Sequence, residues 1–115
     1  MKNAALFVFN GDPMCFIHVL LNALDLQSKG HEVRIVVEGA ATKLLPSLGE
    51  ADNTLHGLWE KTKSAGLVGG ACKACSQKMG TAGAAGSQSL ALLEDMNGHP
   101  GMGHYLEKGY EIITF

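Results

Sequence analysis

Short β-type runs alternate with helix-patterned stretches along the chain, and this alternation restricts the fold more than any other feature of the sequence. A strand followed by a returning helix implies βαβ units on a parallel sheet, with right-handed crossovers. Leu6, Phe7, Val8 and Phe9 read as the first strand, stopped by the turn residues Asn10, Gly11, Asp12 and Pro13. Residues 33–37 form a β-branched second strand that ends at Glu38 and Gly39. Residues 67–71 form a third, delivering Cys72 to a helix that runs to about Met79. Residues 90–93 make the fourth, although four apolar residues leave a helical reading open, and residues 110–115 make the last. Between strands, His18, Asn22, Asp25 and Lys29 mark one polar stripe of a helix over residues 14–29, closed by Gly30. Leu55, Leu58, Trp59 and Thr62 share one face of another helix, which makes Trp59 core. Residues 40–45 suggest a short helical segment broken at Pro46, and residues 81–86 a small-residue stretch with no definite element. Pro100 fits the first position of a helix ended by Gly109. The expected fold is a flavodoxin-like, doubly wound α/β sheet of five parallel strands with helices on both faces, in one domain over residues 1–115.

A chain of 115 residues has room for one core. Nine basic side chains against eleven acidic ones, scattered in sequence, give a net charge of -2. Nucleic-acid binding, which needs a basic patch, is not expected. Apolar runs such as residues 4–9 fall far short of the roughly 18 residues that span a bilayer. The first run is cut at Asn10 before a signal segment develops, so the expected location is the cytoplasm, with no membrane partner. The 14–29 helix carries Met14, Phe16, Ile17, Val19, Leu20 and Leu21 in its first two turns, more apolar surface than one sheet-facing side requires. Self-association is the expected use of the excess. No dinucleotide fingerprint or Walker motif is present, and no cofactor is expected.

Open α/β sheets bind ligands beyond the carboxyl ends of their strands. Here those ends gather residues 10–15, Glu38, residues 70–75 and residues 95–99. Were the strand order 2-1-3-4-5, Cys15 and Cys72 would flank one crevice. Three cysteines are an odd count for a disulfide scaffold, and in a reducing compartment a Cys-x-x-Cys pair points to chemistry or metal binding. Cys72 lies at a strand-to-helix junction, where free N–H groups and the helix dipole favour a thiolate; Lys73 and Lys78 add positive charge. A lowered pKa and a nucleophilic Cys72 are therefore expected. Cys75, one turn on, is placed as a relay or resolving thiol. His99 suits a proton shuttle beside that thiol, or simply belongs to a turn fixed by Pro100. Cys15 and Glu38 are supporting candidates, with Cys15 equally readable as a small buried hydrophobe and Glu38 as a helix-end residue. Two other uses of the thiols stay open: a zinc or small-ligand module drawing on Cys72, Cys75, His99 and His104, and thiol–disulfide redox chemistry.

The segment Cys72-Lys73-Ala74-Cys75-Ser76-Gln77-Lys78-Met79-Gly80 resembles the strand-to-helix segment of the DsrE/DsrF-like family, which includes the sulfur-relay subunits DsrE and TusD. The stretches 7–22 and 109–115 are similar to small stand-alone members. The resemblance implies a flavodoxin-like sandwich, a homo-oligomer (trimer or hexamer), a sulfur-donor or acceptor protein as partner, and a persulfide-carrying cysteine at Cys72. A sulfurtransferase or sulfur-carrier role follows from it as an expectation. Cys75 stands where sulfur-relay subunits have a small residue, so a persulfide on Cys72 and a disulfide with Cys75 both remain open.

Overall fold

The computed structural model describes residues 2–115. Five strands, β1 (Asn3–Val8), β2 (Glu32–Val37), β3 (Val68–Cys72), β4 (Leu92–Leu93) and β5 (Tyr110–Thr114), form one sheet in which every pairing is parallel. The order is β4-β3-β2-β1-β5. The α/β class, the five strands and the two-faced covering are as expected from the alternation. The order 2-1-3-4-5 is not adopted: β2 lies between β1 and β3, so Cys15 and Cys72 do not flank one crevice.

That order has a topological reason. From β1 to β4 the chain steps one strand at a time in one direction, so right-handed crossovers put all the connecting helices on the same face. These are α1 (Pro13–Ser28), α2 (Leu45–Leu48), α3 (His56–Ser64), α4 (Lys73–Lys78) and α5 (Ala82–Ser87). Leu6, Val8, Ile35 and Val37 point to this side and pack with Phe16, Leu20 and Trp59 into the main core. The step from β4 to β5 reverses past β1, which carries α6 (Met102–Glu107) across the opposite face, where Phe7, Val36 and Tyr105 form a smaller core. From Ala4 to Val8, β1 is buried on both sides, which is why these residues are an unbroken apolar run.

Local chemistry sets the boundaries. Asp12 caps α1 by accepting a hydrogen bond from the Met14 N–H at 2.9 Å, Pro13 occupies the first turn, and Gly30 (φ +87°) follows the last. Pro46 lies in the first turn of α2, after a 3₁₀ turn over Gly39–Leu44, and begins that helix instead of breaking one. Residues 82–87 are helical despite two glycines because Ala85 is drawn into the core, a tertiary gain that outweighs weak propensity. Pro100 is not the first helical residue: it is buried before the cap Gly101, whose N–H donates to both Asp95 carboxylate oxygens at 3.3 Å. Among the described residues no helix is long and apolar enough to cross a membrane.

Candidate functional site

Three carboxyl ends converge on one cluster. Glu38 follows β2, Cys72 ends β3 and caps α4, Cys75 lies one turn into α4, and His99 follows β4. One ligand atom from each of these four side chains lies within 4.8 Å of the others. The Cys72 Sγ is 3.1 Å from His99 Nδ1, and the Cys75 Sγ is 3.7 Å from the same nitrogen. The Cys75 backbone N–H donates to the Cys72 Sγ at 3.3 Å.

Backbone geometry aims these groups. Between β2 and β3 the register slips after Ile35, so Gly69 is the extra residue of a bulge and Val36 faces Gly70. A Cβ on Gly70, whose φ is +150°, would lie 2.6 Å from the Ala91 carbonyl oxygen, so only glycine lets β3 approach the chain entering β4. The bend thus serves the approach of the protein's own backbone. On the other side, Met96 and His99 exchange two backbone hydrogen bonds (2.7 and 2.9 Å) across Asn97 (φ +50°) and Gly98 (φ +89°), a turn whose two central residues both take positive φ. The Gly98 carbonyl accepts the Ala74 N–H at 2.9 Å, which docks this turn on the start of α4 and sets His99 over both thiols.

The electrostatics differ from the sequence expectation. Cys72 is fully buried, and burial pushes its thiol pKa up to about 12; the N–H of Cys75 pulls it partly back, while the Cys75 thiol and Glu38 raise it further. The helix behind it has only six residues, and Lys73 is turned to Glu94 at 3.1 Å, so the positive field expected at Cys72 does not lower its pKa. Glu38 is also buried, and desolvation holds its carboxyl above the ordinary value, offset in part by His99 and Cys72. Cys75 and His99 are partly exposed and are the solvent-facing side of the cluster. Beside them a cleft of about 550 Å³, lined by Phe9, Glu38, Met96, His99, Pro100 and Met102, opens to solvent.

Of the sequence candidates, the fold unites Cys72, Cys75, His99 and Glu38. It leaves out Cys15, on the first turn of α1, and His104, which lines clefts beside Tyr105 on α6. Glu38, read from sequence only as a supporting or helix-end residue, is the fourth member in place of His104. Its signal was its position right after a β-branched strand, where a carboxylate reaches the strand-end crevice.

Among known proteins, the uncharacterized protein MJ0733 of Methanocaldococcus jannaschii is 34% identical over 97 residues, covering 84% of this chain and 77% of that one. An uncharacterized protein of Archaeoglobus fulgidus is 42% identical over 41 residues, or 36% of this chain and 67% of that one. No family model and no solved structure matches the chain.

Proposed function

The chain belongs to the family of the Methanocaldococcus jannaschii protein MJ0733, and we propose that the chemistry it carries is the handling of sulfane sulfur, with Cys72 and Cys75 as the thiols. The observation that carries this reading is the pair of free thiols sharing one imidazole nitrogen, at 3.1 and 3.7 Å. A thiol needs to lose its proton to attack, and His99 Nδ1 is within reach of both. The resemblance of residues 72–80 to the sulfur-carrying segment of DsrE/DsrF-like proteins supports the same assignment.

Exposure sets the order of events. Cys75 meets a persulfide donor first: its sulfur attacks the donor's outer sulfur, the donor S–S bond breaks, and the donor leaves as a thiol. Cys72 then takes that sulfur from Cys75, one S–S bond replacing another with no net oxidation, and holds it away from solvent. If Cys72 instead attacks the inner sulfur, hydrogen sulfide leaves and a Cys72–Cys75 disulfide forms, which is the resolving role for Cys75. Both routes need reduced thiols at rest, so the proposed setting is the cytoplasm. Incubation with a small persulfide donor, alkylation and peptide mass spectrometry test the proposal. The wild type should gain the mass of one sulfur atom on Cys72, Cys75→Ser should load Cys72 more slowly, and Cys72→Ser should hold sulfur on Cys75 alone. Absence of a sulfur adduct and of a disulfide on either residue would remove the reading.

Self-association belongs to the same proposal. Met14, Ile17, Leu21 and Leu24 recur at helical spacing along α1, and Met14 (73% exposed) and Leu21 (46%) are left uncovered by the core. A second copy is the occupant we propose for this stripe, in keeping with the trimer or hexamer of the resembling family.

A further inference from the structure

We propose that Glu38, Cys72, Cys75 and His99 form a site for one thiophilic divalent cation, zinc being the ion whose chemistry the donor set fits. Two thiolates, an imidazole nitrogen and a carboxylate oxygen are the ligand types of tetrahedral zinc, whereas calcium and magnesium call for oxygen donors throughout. With ordinary zinc–ligand lengths, neighbouring donors in a tetrahedron lie about 3.3–3.8 Å apart. The sulfur-to-nitrogen separations of 3.1 and 3.7 Å lie close to that spacing, and the 4.8 Å limit on the whole cluster exceeds it by about an ångström.

Three further features suit an ion. The Cys75 N–H aimed at the Cys72 Sγ is the kind of outer-shell hydrogen bond that supports a metal-bound thiolate. Glu38 and Cys72 are both buried and Lys73 is engaged with Glu94, so the ionised forms of the two acids are disfavoured without a cation; a bound dication would let both ionise. Cys75 and His99 face solvent, which leaves a path for the ion. All four ligands come from segments that tertiary structure fixes, two on a strand-to-helix junction and two on loops tied down by backbone hydrogen bonds.

The site itself does not depend on the sulfur-handling proposal, but one consequence does. Coordination draws electron density from the two sulfurs and crowds them, so the loaded protein would react with sulfane sulfur more slowly than the metal-free one. Titration of the chelator-treated full chain with cobalt(II), followed by zinc, separates the two proposals because it reads no sulfur transfer. The expected result is one cobalt per chain, with thiolate-to-cobalt charge-transfer absorption and tetrahedral visible bands that zinc abolishes. Saturating zinc should also block alkylation of both Cys72 and Cys75, and chelation should restore it. Cys72→Ser, His99→Ala and Glu38→Gln should each weaken binding by more than the roughly 10–100-fold that loss of an outer-shell partner costs. His104→Ala and Cys15→Ser should bind as the wild type does. Far-UV circular dichroism shows which variants are folded; His99 lies on a partly exposed turn, so its variant keeps the test open if Cys72→Ser does not fold. No charge-transfer band in the folded wild type, or undiminished binding by Glu38→Gln, would overturn the four-ligand site. Persulfide loading of the metal-free protein stands or falls separately.

Discussion

Burial disfavours the ionised forms of two acids at the centre of the cluster, Glu38 and Cys72. Each has a folded-state pKa above its unfolded one, so between the two values the unfolded chain has already lost a proton that the native state keeps. Stability is therefore full at pH below the unfolded pKa and falls as pH rises towards the folded one. For Glu38 the loss starts in the ordinary carboxylate range; for Cys72 it runs from the ordinary thiol range to about 12. In chelator, thermal melting followed by circular dichroism should show Glu38→Gln more stable than the wild type at neutral pH, and the difference should vanish in acid. A variant less stable than wild type at neutral pH would mean that the ionised carboxylate is well accommodated. The same residues explain what was legible in the sequence. Cys72 and Cys75 stand out through their spacing and their place after a strand, and His99 through the Asn97-Gly98 turn before it. The direction of the Cys72 shift was not legible, because it depends on how deeply the sulfur is packed and on where Lys73 points.

β3 is the element on which the cluster hangs. Its bulge at Gly69 and the close pass of Gly70 against Ala91 set the angle at which Cys72 leaves the sheet. Gly70→Ala should cost about 1–3 kcal/mol, the range of an overpacked core, seen as a lower urea midpoint at unchanged slope. Sulfur loading at Cys72 should fall with it. By contrast, a Cβ on Gly83, within α5, meets open space, and Gly83→Ala should stabilise by about 0.5–1 kcal/mol. Equal effects at the two positions would show that neither strand bulge nor helix propensity is at work. α5 itself illustrates a limit of local pattern. A run of Ala, Gly and Ser carries no period, and it becomes helical only because Ala85 packs into the core and Gln88, just after the helix, joins two other elements. The Gln88 side chain accepts the Trp59 indole N–H and donates to the Leu45 carbonyl, both at 2.7 Å.

On the scale of the molecule, the order β4-β3-β2-β1-β5 puts five helices on one face and leaves the other to α6 alone. The connection from β4 to α6 must then cross the carboxyl ends of the sheet, and this passage brings His99 to residues that follow β2 and β3. On the outer side of α1, Met14 and Leu21 stay exposed while Ile17 and Leu24 pack partly on the core, and the two exposed side chains are the ground for proposing association there. Leu21→Asp changes an exposed side chain and should leave the melting behaviour of the monomer within about 0.5 kcal/mol. In sedimentation velocity it should shift the wild-type oligomer to monomer; a wild type that is monomeric at every concentration would end the proposal.

Alternation of strand and helix, the burial of Trp59, the closure of α1 at Gly30 and the pairing of Cys72 with Cys75 follow from the sequence alone, because each depends on neighbours a few residues away. Strand order, the recruitment of Glu38 with exclusion of His104 and Cys15, and the protonation of Cys72 were decided only by the tertiary structure. The physical reason is that these depend on which distant segments share a sheet edge and how much solvent they exclude. Sequence periodicity carries no term for either.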